Sequence, residues 1–291
     1  MKLRITTEEI CYDINEVSLH GLTTTDDDQP ITLCLHGWLD NAASFLPLMP
    51  YLPNRKLIAL DWPGHGFSSH RSLDAHYHFI DWVYDLVQLF EITQWPAVDI
   101  VAHSMGGMVA TAFAAAFPEK VKSLTLLDSI GLISDKPENT TEQLRKGLTS
   151  RLKGLSKQKN QHPSIESAVK ARVAVSDMAY EQAQLIVKRG LVQQGGKYIW
   201  RADSRLRNAS PYRLTVEQAK QLISDVQCPV NLVYGDKGLE MVHLGIKEFS
   251  ALFSDLTVHK VSGGHHVHME APQQVAEKIT AFWQQIATKV P

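Results

Sequence analysis

The chain has 291 residues, of which 44% are hydrophobic and 21% are charged, and its formal net charge at pH 7 is −2. A chain of this length can bury a large core as one domain, or as one domain with an insertion. The balanced charge gives no global sign of nucleic-acid binding, and no apolar run is long enough to span a bilayer. Two adjacent acids, Glu8 and Glu9, come before any apolar region could form, so we expect no secretory signal.

The three cysteines are widely spaced and odd in number, and each has apolar neighbours in the sequence: Cys11, Cys34 and Cys228. This usage favours buried free thiols over a disulfide framework. We therefore expect a cytoplasmic protein.

Apolar runs typical of strands alternate with helical stretches along most of the chain. Two segments near the start, 2–5 and 10–18, are predicted to pair antiparallel at a sheet edge. The next strands are predicted at 31–35, 57–60, 98–102, 123–127, 230–234 and 256–261, with helices at 80–90, 108–117, 216–223 and 273–287. The alternation predicts an α/β fold with a mostly parallel sheet and helices on both of its faces.

The block 131–214 interrupts this alternation. It is predicted to form amphipathic helices at 142–155, 165–175 and 180–189, with no strong strand. Residues 129–213 contain 16 Lys and Arg against 7 Asp and Glu, whereas the rest of the chain contains 13 against 24. We expect a core of residues 1–130 and 215–291 with a helical cap, 131–214, inserted over the carboxyl edge of the sheet. The basic charge of the cap either docks it on the acidic core or attracts an anionic substrate or surface.

The most informative run surrounds Ser104, where residues 101–107 read VAHSMGG. A strand-like segment precedes this run and an alanine-rich helical stretch follows it. A serine on a sharp turn between a strand and a helix is the G-x-S-x-G nucleophile elbow. Small residues are needed two positions before and after the serine, because the strand and the helix nearly touch there. Gly106 supplies one of them, and Ala102 stands where the pattern has glycine.

A serine hydroxyl needs a base within hydrogen-bond reach, and an acid that orients the base. Residues 262–272 follow the last predicted strand, read SGGHHVHMEAP, and offer three histidines: His265, His266 and His268. A base on this loop would reach the elbow from the carboxyl end of the sheet, where open α/β sheets place their sites. Clustered His and Glu side chains can also bind metal, but this loop contains no Asp or Cys partner, so no metal site is expected.

Four motifs together resemble the α/β-hydrolase superfamily and, within it, the serine hydrolase-like group of capped enzymes. Besides the elbow and the histidine loop, they are LHGWLD at 35–40 and DWPGHGFS at 61–68; WRADSRLR at 200–207 is also similar to that group. In the G-H-x-x-x-x-E-x-P pattern of the superfamily the base is the first histidine, which falls on His265. The resemblance also implies an oxyanion hole made by the backbone N–H groups of Trp38 and Met105.

Two candidates for the acid satisfy the chain order Ser…Asp…His. Asp128 ends the strand that follows the helix of the elbow, and Asp236 follows the strand at 230–234, where most of the superfamily carries its acid. The usual pattern at the second place is G-x-x-D, but residues 235–238 read GDKG. Some members carry the acid on the earlier strand, so Asp128 is favoured, with Asp236 as the alternative and Glu240 as a third candidate.

The sequence therefore predicts a carboxylesterase-like serine hydrolase (EC 3.1.1) with a triad of Ser104, His265 and Asp128. It would cleave an ester or related acyl substrate through an acyl-enzyme, with no metal or organic cofactor. The expected partner is a small-molecule acyl substrate, with no nucleic acid and no membrane insertion; the oligomeric state is open. The same residues could serve a carbon–carbon bond hydrolase or a thioesterase, and a ligand-binding homologue without turnover is the remaining alternative.

Overall fold

The computed structural model describes residues 5–25, 27–154 and 160–288. Its strands are β1 (Thr7–Ile14), β2 (Val17–Thr24), β3 (Ile31–Leu35), β4 (Lys56–Leu60), β5 (Val98–His103), β6 (Val121–Leu127), β7 (Ser134–Asp135), β8 (Gln161–His162), β9 (Leu191–Gln194), β10 (Lys197–Trp200), β11 (Leu214–Thr215), β12 (Val230–Gly235) and β13 (Leu256–Val261). Its helices are α1 (Phe79–Thr93), α2 (Met105–Ala116), α3 (Thr140–Gly154), α4 (Ile165–Val173), α5 (Tyr180–Gly190), α6 (Val216–Ser224), α7 (Glu240–Phe249), α8 (Val267–Glu270) and α9 (Pro272–Ala287).

Eight strands form the main sheet, in the order β1-β2-β4-β3-β5-β6-β12-β13. The pairs β1–β2 and β2–β4 are antiparallel, and all other pairs in this sheet are parallel. Side chains on one face pack with α1, α2 and α6, and those on the other face pack with α9. Strand β5 is buried along its whole length, as expected of a parallel strand covered on both sides. The predicted fold class is confirmed.

Most sequence-predicted elements of the sheet agree with the structure to within a few residues, but the amino-terminal pair does not. The segment 10–18 is not one strand, because the chain reverses at Asn15 (φ 52°) between β1 and β2. Of the segment 2–5, only Ile5 lies within the described residues. Helix α7 was not predicted.

Residues 131–214 lie between β6 and α6 in the chain and are called the inserted segment below. They contain α3, α4 and α5, as predicted, together with short strands that were not expected from the sequence. Strands β8, β10 and β9 form a small antiparallel sheet. Gly195 and Gly196, with φ of 58° and 74°, make the two-residue turn between β9 and β10, a turn that requires positive φ at both positions. Strands of two to four residues are too short to show a period in the sequence.

Ion pairs from two largely buried arginines link the inserted segment to the rest of the chain. The guanidinium of Arg189, on α5, lies 2.9 Å from the Asp61 carboxylate and 2.6 Å from that of Glu9. Arg172, on α4, lies 2.6 Å from Asp40. These contacts support docking on the acidic core as the explanation of the basic charge.

The cysteines agree only in part with the sequence-based expectation. Cys34 and Cys228 are buried, but Cys11 is exposed. Cys11 lies on the edge strand β1, where its neighbours Ile10 and Tyr12 pack against the core; because strand side chains alternate, Cys11 points away. Among the described residues, no helix combines the length and the apolar character needed to cross a membrane.

Candidate active site

Ser104 lies on the turn between β5 and α2 in a strained backbone conformation, with φ 50° and ψ −119°. Residues other than glycine rarely adopt a positive φ, and such strain concentrates at functional sites. The close approach expected beside the serine is present: a Cβ on Gly106 would lie 2.4 Å from the carbonyl oxygen of Leu35. Only glycine fits that position, and the turn presents the serine side chain at the carboxyl edge of the sheet.

The structure brings Ser104, His265 and Asp128 together. Nε2 of His265 lies 2.9 Å from Oγ of Ser104, and Nδ1 lies 2.7 Å from Oδ2 of Asp128. A carboxylate can only accept, so Nδ1 carries the proton and Nε2 presents its lone pair to the serine hydroxyl. The arrangement can take the hydroxyl proton and stabilise the imidazolium that results.

The Asp128 carboxylate is buried and held by backbone amides. Its Oδ1 accepts a hydrogen bond from the amide of Gly235 (3.2 Å) and its Oδ2 one from the amide of Leu239 (3.3 Å). Both amides belong to the end of β12 and the loop after it. The carboxylate thus lies at the end of β6, and the amides at and after the end of the neighbouring strand β12 hold its orientation.

The other two acid candidates lie elsewhere. The exposed Asp236 accepts a hydrogen bond from the backbone N–H of Gly263 at 2.9 Å. Glu240 is exposed at the first residue of α7. Of the three carboxylates weighed from the sequence, Asp128 is the one hydrogen-bonded to His265.

Gly238, at the position where the family pattern has its acid, leaves the space that the Asp128 carboxylate fills. A Cβ on Gly238 would lie 2.2 Å from Oδ1 of Asp128 and 2.8 Å from its Cγ. The carboxylate therefore reaches the usual location from a different strand. An aspartate after β6 together with a glycine at position 238 after β12 is the sequence pattern that indicates this change of strand.

Both residues expected to form the oxyanion hole lie beside Ser104. Met105 is the first residue of α2, so its amide has no acceptor within the helix. Trp38 lies in the turn after β3 and lines the cleft in front of Ser104. Its indole N–H donates to the carbonyl of Leu206 in the inserted segment (3.0 Å), and its side chain is 48% exposed.

The cleft in front of Ser104 has a volume of about 610 Å³ and is lined from two sides. The sheet edge contributes Ser104, His265 and Trp38, and the inserted segment contributes Arg172 and Val175, among others. A substrate entering this cleft would contact both parts of the chain.

A charged network that sequence reasoning missed lies beside Ser104 and His265. Asp40 is buried between Arg172 (2.6 Å) and Nε2 of His266 (3.2 Å). Nδ1 of His266 donates to Asp177 of the inserted segment (2.8 Å), which also accepts the backbone N–H of His265. Burial opposes a charge on His266, but the two carboxylates prevail and raise its pKa to about 9. These residues are too far apart in the sequence to be recognised as a group.

The histidine loop does not bring its own His and Glu side chains together around a metal. Glu270 accepts the backbone N–H of Gly264 (2.9 Å), and buried His268 packs against Phe45, with 5.3 Å between ring centroids. Within the described residues, one other group could hold a metal ion: Asp40, His103 and His266, whose ligand atoms lie within 4.8 Å of one another.

Comparison with known proteins identifies the family. Residues 30–272 match the family of the alpha/beta hydrolase fold. The chain belongs to this family. A serine hydrolase-like protein of Danio rerio is 31% identical over 87% of this chain and 81% of its own length. Serine hydrolase-like protein 2 of Homo sapiens is 31% identical over 88% of this chain and 87% of its own length.

Solved structures also resemble this α/β-hydrolase along nearly its whole length. A hypothetical protein of Pseudomonas aeruginosa PAO1 is 33% identical, with a TM-score of 0.90 over 97% of this chain and 100% of its own. The resemblance to the α/β-hydrolase superfamily and to its serine hydrolase-like group, inferred from the motifs, is confirmed.

Proposed function

We propose that this α/β-hydrolase is a carboxylesterase-like serine hydrolase that cleaves an ester or related acyl substrate. One observation carries the proposal: Oγ of Ser104, the imidazole of His265 and the carboxylate of Asp128 form a continuous chain with separations of 2.9 and 2.7 Å. The three groups have the mutual geometry that nucleophilic catalysis by serine requires.

In the proposed mechanism Oγ of Ser104 attacks the substrate carbonyl, while Nε2 of His265 takes the hydroxyl proton. Asp128 stabilises the imidazolium, and the amides of Trp38 and Met105 bind the oxyanion. One such donor is worth roughly 3–4 kcal/mol of the barrier. His265 then gives its proton to the leaving alcohol, and an acyl-enzyme on Ser104 remains.

Water completes the reaction. His265 removes a proton from the water as its oxygen attacks the acyl carbonyl, and then returns that proton to Oγ of Ser104. The carboxylic acid leaves and the enzyme is restored. Because the side chains supply every proton transfer, the mechanism needs no metal or organic cofactor.

The proposal assigns residues 131–214 the role of a cap on a core of residues 1–130 and 215–291. Its support is the shared lining of the cleft, to which Arg172 and Val175 of the inserted segment contribute beside Ser104. The cap would select the small-molecule acyl substrate, while the core performs the chemistry. The buried free thiols of Cys34 and Cys228 support a cytoplasmic location.

The test is the hydrolysis of a panel of p-nitrophenyl acyl esters of increasing chain length, together with one acyl thioester. The variants are Ser104→Ala, Asp128→Asn and, as a matched carboxylate control, Asp236→Asn. We expect no turnover by Ser104→Ala, a fall in kcat of about 10⁴-fold for Asp128→Asn, and near-normal turnover by Asp236→Asn.

The opposite pattern, with collapse of Asp236→Asn and survival of Asp128→Asn, would contradict the proposed acid. A fluorophosphonate label on the folded wild type distinguishes a narrow substrate range from a binding protein. If Ser104 is not labelled and no substrate of the panel is turned over, the proposed function is wrong.

A further inference from the structure

A cluster of three buried side chains lies at the floor of the cleft, beside the proposed triad: Asp40, His103 and His266. We call it the ligand cluster. Asp40 follows β3, His103 is the last residue of β5, and His266 precedes α8. Their exposed fractions are 3%, 0% and 5%. None of the three takes part in the proposed proton transfers.

Two of the three separations between the ligand atoms of the cluster are close to those that a tetrahedral metal ion requires. Oδ2 of Asp40 lies 3.2 Å from Nε2 of His266 and 3.6 Å from Nδ1 of His103, and all three atoms lie within 4.8 Å of one another. Zinc bonds of about 2.0–2.2 Å at tetrahedral angles place neighbouring ligand atoms roughly 3.3–3.6 Å apart. The two shorter separations fall close to this range.

The tautomer of His103 leaves an unsatisfied lone pair in the cluster. Nε2 of His103 bonds to the carbonyl oxygen of His265 at 3.0 Å, and because a carbonyl only accepts, Nε2 carries the proton. Nδ1 is therefore a bare acceptor, buried without a hydrogen-bond partner, that faces a carboxylate oxygen. A cation between the two atoms removes this conflict.

The outer contacts are those that metal-bound imidazoles use. Nδ1 of His266 donates to the carboxylate of Asp177 at 2.8 Å, and Nε2 of His103 donates to a backbone carbonyl. Such partners orient the ligating nitrogen and raise its basicity. The hydrogen bond from Nε2 of His266 to Asp40 leaves Nδ1 of His103 unsatisfied, and a metal ion must displace the proton of that bond to bind. A metal ion satisfies all three ligand atoms.

The cluster borders the cleft in front of Ser104. Arg172 occupies Oδ1 of Asp40 (2.6 Å), and Oδ2 faces the two histidines. All three residues line the cleft together with Ser104, and a water would be the fourth ligand of an ion that reaches them from the cleft. Two imidazole nitrogens and one carboxylate oxygen suit zinc-type transition metals better than Ca²⁺ or Mg²⁺.

We propose that Asp40, His103 and His266 bind a divalent transition-metal ion of the Zn²⁺ type, and that the bound ion inhibits hydrolysis. The ring of His265 lies 4.6 Å from that of His103 and 5.2 Å from that of His266, between centroids. A dication this close opposes the positive charge that His265 must take up in the transition state. The inhibition rests on the proposed function, whereas the binding does not.

The binding is tested with zinc alone on chelator-treated, full-length protein by isothermal titration calorimetry. We expect one Zn²⁺ per chain for the wild type and an affinity at least 100-fold weaker in His103→Ala and in His266→Ala. Two controls should bind as the wild type does: His265→Ala, which removes the proposed base, and His259→Ala on β13. Unchanged affinity in both cluster variants, loss of binding in His265→Ala, or no binding by the wild type at micromolar zinc would overturn the proposal.

Circular dichroism checks that each variant is folded, and thermal unfolding gives a second readout. Zinc should raise the Tm of the wild type and of His259→Ala, but not that of His266→Ala; an equal rise in all three contradicts the site. If His103→Ala fails to fold, Asp40→Asn replaces it. Zinc inhibition of ester hydrolysis should be lost in His266→Ala. Should no ester be hydrolysed at all, the proposed function fails while the calorimetric result still decides the metal site.

Discussion

The substitution Gly238→Ala tests whether the carboxylate of Asp128 must occupy its observed position. The added methyl group would lie 2.2 Å from Oδ1 and 2.8 Å from Cγ of Asp128, whereas an ordinary carbon–oxygen contact is more than 3 Å. The carboxylate must therefore move by about 1 Å, away from an amide that holds it and out of its 2.7 Å bond to Nδ1 of His265.

The size of the effect on activity follows from this displacement. A misplacement of about 1 Å costs on the order of 10²-fold, and complete loss of the orienting acid costs about 10⁴-fold, so we expect kcat to fall between these limits. Overpacking should also lower the free energy of unfolding by about 1–3 kcal/mol. Ester hydrolysis and urea unfolding measure the two effects separately.

The control is Gly195→Ala, which strains a residue at φ 58° but whose new methyl group would meet nothing within 4 Å. It should lose a comparable amount of stability, about 1–2 kcal/mol, and keep its activity. Conversely, Asp128→Ala combined with Gly238→Asp returns a carboxylate to the same space and should exceed Asp128→Ala alone at least tenfold. If Gly238→Ala retains kcat within twofold of the wild type, the steric reasoning is wrong.

Two further predictions concern stability. Burial lowers the pKa of His36 to about 4 and that of His65 to about 3. Between pH 5 and 6.5 both side chains are therefore neutral in the folded protein but protonated in the unfolded chain. The free energy of unfolding should fall as the pH drops from 7 to 5, by about 2 kcal/mol for each group. Urea unfolding in a chelating buffer should show a shallower fall for His65→Gln than for the wild type, and equal slopes would contradict this. Arg189→Met leaves the fully buried Asp61 without its cation and should cost about 3–5 kcal/mol of unfolding free energy. Glu9→Gln, the half-exposed partner of Arg189, should cost less than about 1 kcal/mol, and equal losses would refute the difference in burial as the cause.

The parts of the candidate site that adjacent residues encode could be recognised in the sequence. The elbow around Ser104 needs small residues at fixed positions because the strand and the helix nearly touch, and that requirement is visible in seven residues. The loop of His265 is also a local pattern, because Gly264 directly precedes the histidine and Glu270 follows it five positions later in the sequence. Such signals are local, so a single sequence shows them.

Features that depend on distant parts of the chain were only partly predictable. Asp128 and Asp236 end neighbouring strands, and the sequence alone left both open, because which carboxylate meets His265 depends on how each loop leaves the sheet. The ligand cluster joins residues from three separate segments and was not predicted. Strands β9 and β10 were missed because their short lengths carry no period, although the Gly-Gly pair between them marks a hairpin turn.

Because the proposed acid follows β6, the loop after β12 does not have to carry a catalytic carboxylate. That loop contributes the amide of Leu239 to the Asp128 carboxylate, and an amide is the same whatever side chain its residue carries. Lys237 and Leu239 line the cleft, so substitutions at these two positions would change the lining of the cleft while the Asp128 carboxylate stays in place. Under the proposed function, the residues after β12 shape the cleft and the residue after β6 orients His265, so the two properties can change independently.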